Sequence, residues 1–461
     1  MHERKTVMGM APYLTRTVRI MVPIYNIVKI PFYFMLLKFY DWLSWGSALG
    51  RSYLLPEKNA SLYFNNLKRQ DLKSAMIYYD GMMFDSRINV MLATTAAFYG
   101  ATVANHTKFI DFIKSETGQI AGIKVSDEIS GEVFCVNAKV IISSAGPFTD
   151  SICRKNNHAE NLMIPSIGTH IVIKPGFGTE DMGILDTTTS DNRVVFILPW
   201  NNHTIVGSTE SEGLASSQIK PTEDEVNFLL NEINKYTDKK ITKKSITSAW
   251  SGVRPLIKNN FKGSTECIVR KFKIFDDRNG LIIVAGGKWT TFRSMAEKTI
   301  DLAIKNYHLE ALNGCLTSQI QVLGSRKYSR DLFYEISRVL EVDIEYSKHL
   351  LNMYGDQVFK LKRYIKKYPA RLSSKYLFTE GEAIYCLESE MAVNSSDIVN
   401  NRFGVGYYDV EEAYQMVQKV DTLLIGYFSK KDTKYEPDQN YTKAALVSLG
   451  YELISKFKDA D

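Results

Sequence analysis

Apolar positions along this chain change their spacing from segment to segment, and the changes mark out its elements. Ala75-Met-Ile-Tyr-Tyr79 reads as a strand, and Asp85 to Tyr99 as a helix closed by Gly100 at its C-terminal cap. Three short alternating runs follow, Phe109–Ile113, Ile120–Val125 and Val133–Val136. Thr117-Gly118 and Ser130-Gly131 divide them, a pattern that predicts a meander. Lys139-Val-Ile-Ile-Ser143 is a continuous apolar run entering Ala145-Gly146-Pro147. A buried strand feeding a tight glycine turn is where an open α/β sheet places its ligand.

Residues 165–275 are strand-rich, with β-branched and aromatic runs at His170–Lys174, Arg193–Pro199 and Thr204–Gly207. A helix from Thr222 to about Tyr236 interrupts them, opened by the capping box Thr222-Glu-Asp-Glu225. Leu281-Ile-Ile-Val-Ala285 predicts another buried strand, followed at once by Gly286-Gly287 and a helix to about Tyr307. From about Leu316 the spacing is helical to the end, as in Asp409–Tyr427 and Thr442–Phe457. The first 60 residues read as helical segments broken by Pro23 and Pro31. The fold class expected is α/β, with residues 1–315 as one domain (165–275 its β-rich part) and 316–461 as a C-terminal α-helical domain.

Composition narrows the function. A chain of 461 residues with 45% hydrophobic and 23% charged positions is ordinary globular material. Five scattered cysteines without C-x-x-C spacing exclude a structural zinc site and argue against a disulfide framework. The net charge of +6 is too dilute for a dedicated nucleic-acid binder, so no nucleic-acid partner is expected. Residues 1–60, however, carry 8 basic against 3 acidic side chains and ten aromatics. Within residues 20–45 that mixture suits either core packing or peripheral contact with a membrane interface. The longest apolar run there, Ile30 to Leu37, is far short of the roughly 20 residues that a spanning helix needs.

Three constellations could carry chemistry. Gly286-Gly-Lys-Trp-Thr-Thr-Phe-Arg293 sets two glycines, Lys288 and then Arg293 at a strand-to-helix turn, where bare N–H groups and a cation suit a phosphate or the oxygen edge of a flavin. Ser251-Gly-Val-Arg-Pro255 fixes Arg254 between a glycine and a proline, preorganised toward an anion. Gly168-Thr-His170 puts an imidazole at the start of an apolar strand, a general-base candidate. Metal-ligand spacing, a G-x-S-x-G elbow and G-x-G-x-x-G are all absent from the chain.

With these segments read, the chain closely resembles the FAD-dependent, quinone-linked glycerol-3-phosphate dehydrogenases of mitochondrial type. The matching blocks run in family order. They are His2-Glu-Arg-Lys-Thr6 with Ala11-Pro12, Tyr78-Tyr-Asp-Gly-Met-Met-Phe-Asp-Ser-Arg-Ile-Asn-Val90, Ser144-Ala-Gly-Pro-Phe148 and Gly168-Thr-His-Ile-Val172. Leu198-Pro-Trp200 with Val206-Gly-Ser-Thr209, Ser251 to Leu256 and Gly286 to Glu297 complete the set. The resemblance implies an incomplete FAD-binding, Rossmann-like domain with a β-rich substrate part. It also implies oxidation of sn-glycerol 3-phosphate to dihydroxyacetone phosphate, with hydride passing to FAD and electrons onward to ubiquinone. By motif, His170 takes the C2 hydroxyl proton and Arg254 holds substrate and steadies charge on its oxygen. Lys288 and Arg270 are implied as phosphate contacts. Ala145, Gly146 and Pro147 are implied along the adenosine part of FAD, and Gly286, Gly287 and Thr291 at the isoalloxazine end. The implied location is a mitochondrion or relic mitochondrial organelle, peripheral to the inner membrane.

The family's N-terminal G-x-G-x-x-G unit and its Arg-Tyr segment have no counterpart here. Either the sequence starts late, which the intact later blocks favour, or the chain is a non-catalytic remnant acting as a membrane- or partner-binding module. A third reading is an amine or hydroxy-acid oxidase of the same flavin fold, against which the Lys288, Arg254 and Arg270 set favours a phosphorylated substrate.

Overall fold

The structure is a computed structural model that describes residues 2–63, 67–158, 161–178, 181–187, 189, 193–258, 271–432 and 434–459. Its strands are β1 Thr15–Ile24, β2 Tyr53–Pro56, β3 Ser74–Met83, β4 Thr107–Lys114, β5 Ile120–Asp127, β6 Val133–Asn137, β7 Ile141–Ser143 and β8 Met163–Ile173. They continue with β9 Met182–Asp186, β10 Val195–Trp200, β11 His203–Gly207, β12 Ser211–Glu212, β13 Ile246–Ile257, β14 Lys273–Asp276 and β15 Leu281–Ala285. The first seven helices are α1 His2–Met10, α2 Ile30–Leu43, α3 Glu57–Tyr63, α4 Asp85–Phe98, α5 Thr149–Lys155, α6 Glu223–Asn234 and α7 Phe292–Tyr307. Beyond them lie α8 Leu332–Leu340, α9 Ile344–Tyr354, α10 Val358–Lys367, α11 Glu380–Ser389, α12 Val410–Ser429, α13 Gln439–Ser448 and α14 Tyr451–Asp459.

The large sheet runs β12-β8-β11-β10-β9-β1-β3-β2, with β13 on the other edge of β8. β7 and β15 are parallel neighbours, Leu281 beside Ile141 and Ile283 beside Ser143, and β14 flanks β15. The predicted meander is a separate antiparallel sheet, β4-β5-β6. One continuous apolar core joins the large sheet (Ile77, Ile171, Val206) to α6 and to the helices from α8 onward (Leu350, Leu361, Val417, Ile454).

Local signals placed most elements, and four expectations change. Thr15–Ile24 is a strand at the middle of the large sheet rather than a helix broken at Pro23. Val18, Ile20, Val22 and Ile24 are buried on one face and Met21 on the other, and β9 pairs with it only at Arg19–Met21, so the N–H that Pro23 lacks is not required by that ladder. Pro31 opens α2 near its first position, where a missing N–H costs nothing. His170 lies well inside its strand rather than at the start, because β13 extends the ladder back to Met163. The Thr442–Phe457 stretch divides into α13 and α14 at Gly450, whose φ is +82°.

The capping box at Thr222 forms as expected, with the hydroxyl accepting from Glu225 N and the Glu225 carboxylate from Thr222 N. Arg87, completely buried on α4, donates to both Glu390 carboxylate oxygens at 2.5 and 2.8 Å and to the Met353 carbonyl at 3.1 Å. That pair ties α4 to the C-terminal helices.

Candidate active site

Strands β8 and β13 build the core of the site through their register. His170 lies opposite Trp250, Gly168 opposite Gly252 and Ser166 opposite Arg254. Side chains two apart on a strand share a face, so His170, Trp250 and Arg254 all project to one side with a glycine pair between them. The Arg254 guanidinium lies over Gly168, where a Cβ would collide with Nη2. It donates to Ser208 Oγ and to the Thr209 carbonyl. Gly252 has open space on its exposed side, with no atom within 4 Å of a would-be Cβ. The floor between imidazole and guanidinium is therefore bare main chain.

The His170 ring is held by shape. It stacks on Trp250 with centroids 4.4 Å apart and planes 22° from parallel. Gly207 lies opposite it on β11, and a Cβ there would collide with His170 Cδ2. Burial, and then the positive charge of Arg254, push its pKa down to about 4. The imidazole is thus neutral near pH 7 and able to accept a proton. Its Nδ1 is buried with no hydrogen-bond partner among the described residues.

The second part of the site lies at the carboxyl ends of β7 and β15. These neighbouring parallel strands deliver Ala145-Gly146-Pro147 and Gly286-Gly287-Lys288 side by side, at the kind of strand end where open α/β sheets bind ligands. Gly146, Gly286 and Gly287 take φ of +55°, +75° and +87°, a region that favours glycine. Gly146 opens a 3-10 turn over Gly146–Phe148 with nothing near a would-be Cβ, which leaves its main chain approachable. The Lys288 side chain is exposed, with no acidic partner among the described residues. Thr291 uses both its hydroxyl and its N–H within its own turn, donating to the Lys288 carbonyl at 2.8 and 2.9 Å. β13 connects the two parts. It packs on the Gly146–Phe148 turn and on β15, and its Ile257 Cδ1 lies 2.5 Å from where a Gly286 Cβ would fall.

His170 and Arg254 therefore come together on one sheet face, and the two glycine turns come together at one strand-end edge. Arg270 lies outside the described residues. Arg293, expected to strengthen the Gly-Gly-Lys motif as a ligand contact, is instead buried. It donates to both Glu3 oxygens at 2.9 and 2.7 Å and also pairs with Glu297 at 3.0 Å, so it anchors α1 to α7. Arg4 ties α1 to β3 as well, by pairing with Asp80 at 2.7 Å. Sequence reasoning gave no role to Ser208, which holds Arg254, or to Trp250, which stacks on His170. Both sit inside the motif blocks, but their roles depend on cross-strand register. Among the described residues no group of His, Cys, Asp and Glu could hold a metal ion.

A flat dinucleotide cofactor can be tested against these residues. Two glycine turns on adjacent strand ends, open at Gly146 and closely packed at Gly286 and Gly287, with an exposed cation beside the second and an unpartnered imidazole nitrogen beside the open floor, fit its two ends. The described residues contain no glycine fingerprint for the pyrophosphate between them.

Two family models match. The FAD dependent oxidoreductase model covers residues 35–310, and the C-terminal domain of alpha-glycerophosphate oxidase covers residues 315–435. The chain is 39% identical over 433 residues to a probable glycerol-3-phosphate dehydrogenase of Encephalitozoon cuniculi, covering 93% of this chain and 70% of that one. It is 35% identical over 471 residues to the mitochondrial glycerol-3-phosphate dehydrogenase of Mesocricetus auratus, covering 99% of this chain and 64% of that one. The chain thus spans about two thirds of the length of these relatives. A structure of a Bacillus halodurans glycerol-3-phosphate dehydrogenase with FAD shares the fold at a TM-score of 0.77 and 23% identity. That likeness covers 98% of this chain and 84% of the other.

Proposed function

The chain belongs to the FAD dependent oxidoreductase family, on its glycerol-3-phosphate dehydrogenase branch, and from that premise we propose that it oxidises sn-glycerol 3-phosphate to dihydroxyacetone phosphate. The observation that carries the reading is the shared face of His170 and Arg254, a neutral base and a fixed cation either side of an open glycine floor.

In this reading the C2 carbon of the substrate lies over Gly252 with its hydroxyl toward His170. The neutral imidazole accepts the hydroxyl proton as the carbonyl forms. Arg254, already aimed by Ser208 and the Thr209 carbonyl, stabilises the negative charge growing on the C2 oxygen. Lys288, exposed and without an acidic partner among the described residues, receives the phosphate dianion, and Arg270 is proposed as its second contact. The C2–H bond breaks as the carbonyl forms, and its hydride would pass to FAD, the two-electron chemistry that the cofactor would supply when bound. Ala145, Gly146 and Pro147 would hold its adenosine part, and Gly286, Gly287 and Thr291 would lie at its ring end. We divide the chain at about residue 315, with the oxidoreductase part before it and the helical part after.

Ubiquinone is the proposed onward acceptor, at a mitochondrial inner membrane that the protein meets peripherally. Names of relatives support the compartment. The surface supports the contact: α2 and its flanks expose Val28 at 78%, Phe32, Met35, Phe39, Trp42 and Trp45 at 86%. Lys29 and Lys38 lie among them. Aromatics beside lysines suit a lipid headgroup interface. The segment first expected, 20–45, shortens to 27–45, because Ile20, Met21, Val22 and Ile24 are buried in β1. No helix among the described residues is long and apolar enough to cross a membrane.

The test is substrate-dependent dye reduction by flavin-bearing protein. Activity with sn-glycerol 3-phosphate and not with glycerol, strongly lowered in Arg254→Ala, is expected. Equal activity of Arg254→Ala and the parent chain would overturn the reading.

A further inference from the structure

A general-base histidine is ordinarily oriented by a hydrogen bond to its second ring nitrogen. His170 has none among the described residues, since its Nδ1 is buried and unpartnered. What fixes the ring is contact on its two sides. On one it faces Gly207, with no room for a Cβ, and on the other it stacks on Trp250 at 4.4 Å. Trp250 is itself fixed from outside the sheet. Its Nε1 donates to the Tyr407 carbonyl at 3.2 Å, and the Tyr407 ring meets the indole edge-to-face at 5.7 Å. The same stretch of β13 is tied down twice more. Ser248 Oγ donates to the Gly406 carbonyl at 2.8 Å, and Ala249 N donates to the Leu449 carbonyl at 3.4 Å.

We propose that Trp250 is the positioning residue for His170, and that the C-terminal helical region sets that position chiefly through the edge-to-face contact of the Tyr407 ring. The inference rests on reading His170 as the base and goes beyond it by giving the C-terminal region a part in the reaction. In this proposal Trp250 acts through the imidazole it stacks on. The charged group that faces the ring is Arg254, from β13; β11 presents Gly207 there. An indole on the ring's flat side keeps it in one orientation without offering a proton acceptor to Nδ1, so the ring stays neutral and its exposed edge is aimed. A reacting group displaced by about 1 Å loses on the order of 100-fold in rate.

Trp250→Leu removes the stack while keeping an apolar side chain, and Trp250→Phe keeps a stacking ring without the indole N–H. Both are made in the full chain with its flavin, and folding is checked by thermal unfolding. The His170 ring is followed by carbon-13 NMR of its Cε1 position, assigned with His170→Asn. Trp250→Leu should lose roughly 30- to 100-fold in kcat with KM changed less than about threefold. Its His170 titration should rise toward the ordinary imidazole value, and the acid limb of the pH profile should rise with it. Trp250→Phe should keep the titration and stay within about fivefold of the parent kcat.

A folded Trp250→Leu protein with parental kcat and parental His170 titration overturns the proposal. Equal losses in both variants also overturn it, because packing rather than stacking is then at stake. Should Trp250→Leu not fold, a parental Trp250→Phe beside a defective Trp250→Met supports the proposal, and a parental Trp250→Met overturns it. Full activity in His170→Asn would defeat the base assignment instead, while the NMR titration still reports on the stack.

Discussion

Neutrality at His170 follows from burial and from Arg254 on the next strand, which together hold its pKa at about 4 against an ordinary 6.5. The base form therefore persists well below neutral pH, and activity limited by this group should fall only as pH approaches the lower value. The same displacement has a sign for stability. Between pH 6.5 and about 4 the unfolded chain takes up a proton at this residue that the folded chain refuses, so its contribution is present above 6.5 and lost as pH falls. His170→Gln should flatten the pH dependence of the denaturation midpoint in that window. An unchanged slope would contradict the assignment. Replacing the base with Ala should also cost about 100- to 10,000-fold in kcat. Gly207 makes a sharper probe, because the nearest atoms that an added methyl would meet all belong to the imidazole. Gly207→Ala should lower kcat by about 100-fold while the thermal midpoint moves little, and a parental rate in that variant would show that the ring can give way.

Elements explain why the motif blocks contain the residues they do. The block from Tyr78 to Val90 supplies Arg87, sealed against Glu390 at 0% exposure. Removing one partner of a buried pair leaves an uncompensated charge, so Arg87→Ala should destabilise the protein by about 3–5 kcal/mol. Chemical denaturation should show that loss, and loss of both partners in Arg87→Met with Glu390→Met should cost less than the single change. The His2 block supplies Glu3 and Arg4, which join α1 to Arg293 and Asp80. Helix α2 behaves in the opposite way, since only Leu37 along it is buried. Exchanging Phe32, Phe39 and Trp42 for Ser should weaken sedimentation with anionic vesicles at least tenfold, because each large apolar side chain contributes on the order of 1.5–3 kcal/mol when covered. Undiminished sedimentation would remove α2 from the membrane contact.

Across the whole molecule, what could be read from the sequence was local chemistry. Glycines needed for positive φ at Gly146, Gly286 and Gly287 announced their turns, the capping box at Thr222 announced α6, and alternation announced β4 to β6. Long-range pairing could not be read. That Trp250 stands opposite His170, that Arg293 turns inward to Glu3, and that Thr15–Ile24 is a central strand all depend on partners far away in the chain. Helical and strand spacings are also hard to separate in a stretch as mixed as Thr-Arg-Thr-Val-Arg-Ile. The two glycine turns and the β8–β13 face come from separate stretches of the oxidoreductase part, and β13 joins them only in three dimensions.

The most direct measurement is the visible absorbance of protein-bound flavin, followed without oxygen as sn-glycerol 3-phosphate is added. Bleaching in the parent chain, absent with glycerol and strongly slowed in His170→Asn and Arg254→Ala, is the predicted result. Absorbance that does not respond to the phosphorylated substrate, or bleaching at the parental rate in both variants, would contradict the account.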